Sequence, residues 1–396
     1  MLTAKQNMLE VIRGGNPDRI VNQYEAVYLM FHPASFASPM PAKGEENVVN
    51  AWGVTFSFPE GTPGTFPVHT PDKIVVKDIE NWRDYVHGPS LKFSQDQWDQ
   101  VKAQYDAVDG DKAFKAAFVA PGLFEQTHHL CEITRALMYY ITNEDEMHDL
   151  LKYLTEWELE LAEGICSNLH PDALFHHDDW GSLDSSFMSP TMFEEFLVGP
   201  YKEIYDYYHK HGVELVIHHS DSYGANLVPD MIEMGIDVWQ GCMMETNDLP
   251  NLVKKYGGKI SFMGGIENRA VDYEGWTDEN CDEVVRRVCE ACGNKYFIPC
   301  IAQGGPGSVY PGVYNSLIKS IDNLNKEKYG IENPEEGRLP LQILFCDCFF
   351  GSRLLRLPFK NPESLCFFMR PPDFSVHLYY SSFSFFSIIA SMSFCT

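Results

Sequence analysis

Between about residues 110 and 300, short runs of β-branched and aromatic residues alternate with longer runs whose apolar positions recur every three or four residues. This pattern predicts a parallel sheet with crossover helices. The candidate strands are Phe114 to Ala120, Ala173 to His177, Glu214 to His218, Asp237 to Gln240, Lys259 to Met263 and Tyr296 to Pro299, and each ends in polar or glycine-rich sequence. Between them lie helical stretches such as Glu144 to Asn168, with Leu150, Leu151, Leu154, Trp157, Leu161 and Ile165 on one stripe, and Pro190 to Lys210. No GxGxxG follows the first strand and no GxxxxGK[ST] occurs, which removes the usual signals of a dinucleotide or P-loop fold. The expected fold is an α/β class (β/α)8 TIM barrel. Its chemistry would sit at the C-terminal ends of the strands.

Composition changes this picture at one end of the chain. The 396 residues are 44% hydrophobic and 22% charged, as in a folded globular protein, and carry a net charge of -26. Such a field repels phosphate backbones and anionic lipid, so nucleic acid and membrane surfaces are not expected partners. Residues 341–396 differ. They hold 11 of the 26 phenylalanines and 4 of the 11 cysteines, carry a net of +1, and show no sustained period. The acidity therefore belongs to residues 1–340, read as one barrel domain, and the tail is read as lying outside the functional fold. Eleven cysteines are too dilute for a disulfide scaffold, and the N-terminal run MLTAKQNMLEVIRGG lacks an apolar signal core. The expected location is the cytoplasm, with reduced thiols.

Three constellations follow candidate strands. After Glu214 to His218 come His219, Ser220 and Asp221, and after Tyr296 to Pro299 come Cys300 and, three residues on, Gln303. Histidine, carboxylate and thiolate are zinc ligands, and a catalytic zinc keeps three protein ligands with one open position. His219, Asp221 and Cys300 could supply that set, with Cys242 an alternative to Asp221. A polar strand end and a buried core cysteine would give the same sequence. The second constellation is His176-His177-Asp178-Asp179. Strand alternation places His177 and Asp179 on one face and His176 and Asp178 on the other. The third runs from Pro121 through Glu125 to His128-His129, and also reads as a helix start with an acidic first turn. Lys259 to Glu267 reads as a strand followed by a Gly-Gly turn. Cys289-x-x-Cys292 has no partner pair, which weakens a zinc-ribbon or redox reading.

Several motifs, in order, resemble the uroporphyrinogen decarboxylase superfamily, and within it the cobamide-dependent methyltransferases more than the decarboxylases. They are Asn7 to Asn16 with Pro17-Asp18-Arg19, His177 to Gly181 with Ser189-Pro190, Glu195-Phe196 and Pro200, Ile217-His-His219, Met234 to Asp237, Gly257 to Gly265, and Cys300. The resemblance implies a (β/α)8 barrel with its site at the C-terminal mouth. It also implies zinc, and a corrinoid carried by a partner protein. The chain departs from the methyltransferase pattern at Asp221, where a cysteine is expected. It departs from the decarboxylases after Arg19, where their arginine-bearing loop is replaced by Ile20 to Val27.

The resulting expectation is a zinc-dependent methyltransferase. It would move a methyl group between a small methylated compound, such as a methyl ether, or a thiol and a corrinoid protein. The metal ligands would be His219, Asp221 and Cys300. Asp179 and Glu125 would be catalytic, and His177 and Gln303 would bind substrate. A porphyrinogen-type decarboxylase, or a barrel that binds a small ligand without catalysis, is the alternative.

Overall fold

The computed structural model describes residues 1–332 other than 23, 61, 63 and 306–308. The tail, 341–396, expected to lie outside the functional fold, therefore falls outside the described residues. Seven parallel strands form one curled sheet in chain order: β1 (Val27–Met30), β2 (Phe114–Val119), β3 (Ala173–His177), β4 (Leu215–His219), β5 (Val238–Met243), β6 (Ser261–Ile266) and β7 (Phe297–Ile301). Each pairs in parallel with the next. The expected α/β barrel-like architecture is observed, with seven hydrogen-bonded strands among the described residues where the sequence suggested eight. β1 escaped the sequence reading because its four residues are too few to show a period. A separate antiparallel sheet of Val48–Val49, Thr55–Ser57 and Phe66–Pro67 escaped for the same reason.

Alternation along the strands sorts their side chains into two cores. Val27, Leu29, Phe114, Ala116, Phe118, Ala173, Phe175, Leu215, Ile217, Val238, Met263, Ile298 and Cys300 pack together inside the curl. Their neighbours, among them Ala117, Leu174, Val216, Trp239, Phe262 and Phe297, join the larger core under the helices. The long helix Glu144–Leu169 buries Leu150, Leu151, Leu154, Leu161 and Ile165 there, as its stripe predicts. The stretch read as one helix from Pro190 to Lys210 is helical throughout, as Pro190–Phe193, a π-turn Glu194–Val198 and Gly199–Lys210.

A bulge in β5 breaks the alternation. The register against β6 shifts between Gln240 and Cys242, around Gly241 at φ +93°. A Cβ at Gly241 would lie 2.8 Å from the Ser220 carbonyl oxygen, so the bulge requires glycine. Gln240 consequently keeps the interior face while Cys242 turns to the outer core, its thiol 3.4 Å from the Met263 carbonyl. The Gly-Gly turn expected in Lys259 to Glu267 is absent: Gly264 and Gly265 both lie within β6, which runs on to Ile266. Cys289 and Cys292 are buried on the helix Asp278–Cys292.

No ladder joins β7 to β1 among the described residues. The chain crosses that gap by side-chain bonding. Asn325, fully buried on the final helix Val313–Tyr329, accepts from the Ile20 backbone N–H at 2.8 Å and donates to the Ile20 carbonyl at 3.0 Å. Replacing it leaves two buried backbone groups unpaired, at about 1–3 kcal/mol. Asn325→Ala is expected to lower the urea unfolding midpoint accordingly. An unchanged midpoint would show that the gap does not depend on this bridge.

Candidate metal centre

β3 and β4 end side by side, with His177 paired in register to His219. Both are at interior parity, and their rings stack at 4.4 Å between centroids. Below them Phe175 stacks on Phe118, which gives the mouth an aromatic floor. His177, Asp179 and His219 each present a ligating atom, and these atoms lie within 4.8 Å of one another. The Asp179 carboxylate accepts the Asp221 backbone N–H at 3.0 Å. Asp221 in turn sits 4.0 Å from His219 Nε2 and is hydrogen-bonded by the Gln303 side chain.

The two histidines have opposite charge states. Burial, reinforced by the neighbouring His177, pushes His219 down to about 4, so it is neutral at physiological pH. Its Nδ1–H donates to Gln240 Oε1, which fixes the tautomer and leaves Nε2 as a bare lone pair turned to the carboxylates. His177 would also be lowered by burial, but Glu125 at 3.0 Å from its Nδ1, with Asp179 and Asp221, raises it to about 10. Burial pushes Glu125 itself upward, opposed by His177. Burial and the adjacent Asp179 push Asp221 well up. Without metal, three carboxyl groups thus share the one imidazolium among them. A divalent ion fits this donor set of neutral imidazole and carboxylate, which belongs to the range that zinc accepts.

Glu125 reaches the cluster from the helix Leu123–Cys131, which starts at Gly122 without a side-chain cap of its own. Asp178, at outward parity, supplies the cap from the neighbouring strand end. It accepts from Phe124 N at 3.0 Å and Glu125 N at 2.7 Å, and also from the Trp180 indole and the Tyr201 hydroxyl. His176, beside it in sequence, is buried against Glu158 of the long helix at 2.7 Å.

Of the residues proposed from sequence, the structure brings Glu125, His177, Asp179, His219, Asp221 and Gln303 together. It does not bring Cys300 into the group. That thiol is on the interior face of β7, bonded to the Ile301 carbonyl at 3.2 Å and to Tyr24. Gln240 stands between it and His219, with Nε2 3.8 Å from the sulfur. Burial pushes the thiol up to about 12, so it is protonated. The bulge turns Cys242, the alternative donor, to the outer core and away from these side chains. The sequence reading assigned no role to Gln240. Its signal was a polar residue at the interior parity of an otherwise apolar strand.

The family model for uroporphyrinogen decarboxylase matches residues 47–323. No curated protein matches the chain by sequence. Among solved structures, a methyltransferase from Methanosarcina mazei is similar over 82% of this chain and 99% of its own, at 14% identity and a TM-score of 0.56. A B12-independent methionine synthase from Shewanella sp. W3-18-1 is similar over 62% of this chain and 71% of its own, at 12% identity and a TM-score of 0.41. The first likeness shows a shared fold; the second is too remote to argue from.

The raised His177 predicts a pH dependence in metal-free protein. A histidine whose folded pKa exceeds its unfolded value stabilises the fold fully below about 6.5, and that contribution is lost as pH rises toward about 10. Urea unfolding of chelator-treated protein between pH 6 and 10 should show this decline, and His177→Gln should flatten it. An equal slope in both proteins would place the proton elsewhere.

Proposed function

The chain belongs to the uroporphyrinogen decarboxylase family, and from that premise we propose that it is a zinc-dependent methyltransferase working with a corrinoid protein. One observation carries the reading: the ligating atoms of His177, Asp179 and His219 converge at the strand ends, with His219 held at Nδ1 by Gln240 so that Nε2 is left as the lone pair. Zinc held there would supply Lewis acidity toward the oxygen of a methyl ether, or would favour the thiolate of an acceptor thiol. The methyl group would pass from the ether to the partner's corrinoid as the C–O bond breaks and the alkoxide leaves, or from that corrinoid to the sulfur of the thiolate.

The remaining residues position substrate and handle the proton. Glu125 holds His177 at Nδ1 and so directs Nε2 toward the other donors. Asp221, pushed well up by burial and Asp179 and steadied by Gln303, stands beside His219, where its acid form would give a proton to a leaving alkoxide and its carboxylate form would take one from a thiol. The roles of Asp179 and Asp221 are thereby exchanged relative to the sequence reading: Asp179 ligates and Asp221 carries the proton. The electrostatics of the mouth oppose a polycarboxylate substrate. Its carboxyl groups outnumber its one imidazolium, and Arg19, the basic residue nearest the departed loop, is buried in an ion pair with Glu25 at 3.0 Å.

Methyl transfer from candidate ethers to a reduced corrinoid protein, measured beside zinc content, tests the reading. His219→Ala is expected to lose zinc and to lower transfer about 100-fold or more, beyond what loss of an outer partner costs. Cys300→Ser is expected to keep zinc. Full zinc and transfer in folded His219→Ala would sink the proposal, and loss of zinc from folded Cys300→Ser would return the ligand set to His219, Asp221 and Cys300.

A further inference from the structure

The site leaves part of the third constellation unused. Glu125, His128 and His129 occupy successive turns of the helix Leu123–Cys131 and present ligating atoms within 4.8 Å of one another. Spacings of three and four residues place side chains on neighbouring positions of one helix face. The structure assigns to Glu125, His128 and His129 a second divalent transition-metal site, beside the His177, Asp179 and His219 centre and distinct from it. Two imidazoles and one carboxylate, with open positions left over, make a ligand set for zinc or ferrous iron.

The surroundings favour an ion over a hydrogen-bonded histidine pair. All three residues are half-buried, so solvent reaches them. The His128 ring lies edge-on to Phe124 at 5.4 Å between centroids, one turn back on the same helix. His129 is steadied from the small antiparallel sheet by the edge-on ring of Phe56, and from the loop behind it by His69, whose Nε2 lies 3.0 Å from the His129 carbonyl. Glu125 Oε2 is engaged by His177 at 3.0 Å, which leaves Oε1 for the ion. Glu125 would then link the two centres, with one oxygen toward each.

This site does not require the first to hold metal, and a metal titration separates them. Full-length, chelator-treated protein is titrated with Co²⁺, followed by its visible absorption, and with Zn²⁺, followed by bound metal per chain. The parent is expected to bind two equivalents, the double variant His128→Ala/His129→Ala one, and His219→Ala the other one. Should the alanine variant fail to fold by circular dichroism, His128→Gln/His129→Gln serves in its place. A parent that binds one equivalent, lost in the double variant and kept in His219→Ala, supports this site while the first fails. Two equivalents retained in the folded double variant, or a single one lost only in His219→Ala, would overturn the assignment.

Discussion

The mouth of this barrel hangs on one buried carboxylate. Asp178 is fully buried and accepts from two backbone N–H groups of the helix Leu123–Cys131, the indole of Trp180 and the hydroxyl of Tyr201. Four donors offset the cost of removing an acid from water, yet burial and nearby Glu125 still push it up to about 7. Packing leaves no room for another solution. A Cβ at Gly122 would come within 2.5 Å of Asp178 Cβ and 2.6 Å of the Tyr201 oxygen. The helix start therefore sits on the end of β3, and the position of Glu125 follows from that contact. Glu125 in turn sets His177, so a group facing away from the mouth determines the geometry within it.

The second constraint is charge. Glu125, Asp179 and Asp221 crowd a partly dry site in a chain whose net charge is already -26. Such a cluster retains protons or acquires a cation. In metal-free protein His177 carries the proton. A bound dication would displace it, and would find His219 already deprotonated and oriented. Metal affinity should therefore rise with pH, as it does wherever ligand and proton compete for the same nitrogen.

Much of this was legible in the sequence because strand parity is a strict rule. The alternation that put His177 and Asp179 on one face and His176 and Asp178 on the other is the alternation the structure shows. The barrel-like order of strands and the buried stripe of the long helix were equally readable. Five of the six predicted strands end one to three residues from where the sequence places them, and that shift mattered at His219, which closes β4 instead of following it. Spacing failed where distance through the barrel was needed. Cys300 shares the interior face with His219, but a sequence does not show that Gln240 fills the space between them. Nor does it show that a bulge at Gly241 reverses the parity of Cys242.

The residues below the mouth also explain why His219 and not its neighbour presents a lone pair. His218, at outward parity, is buried between Tyr205 at 2.8 Å and the Asp178 carbonyl at 3.1 Å, with Trp180 stacked on its ring, so both nitrogens are occupied. His219 has one nitrogen occupied, by Gln240, which also meets Cys300 and the Tyr24 hydroxyl. The interior chain from Tyr24 through Cys300 and Gln240 to His219 thus does structural work that a ligating thiol could not do. A protonated sulfur with a buried amide above it holds the tautomer of the imidazole, and the imidazole offers the lone pair. Cys300 meets the site through Gln240, one layer beneath the group of donor atoms in which the spacing places it.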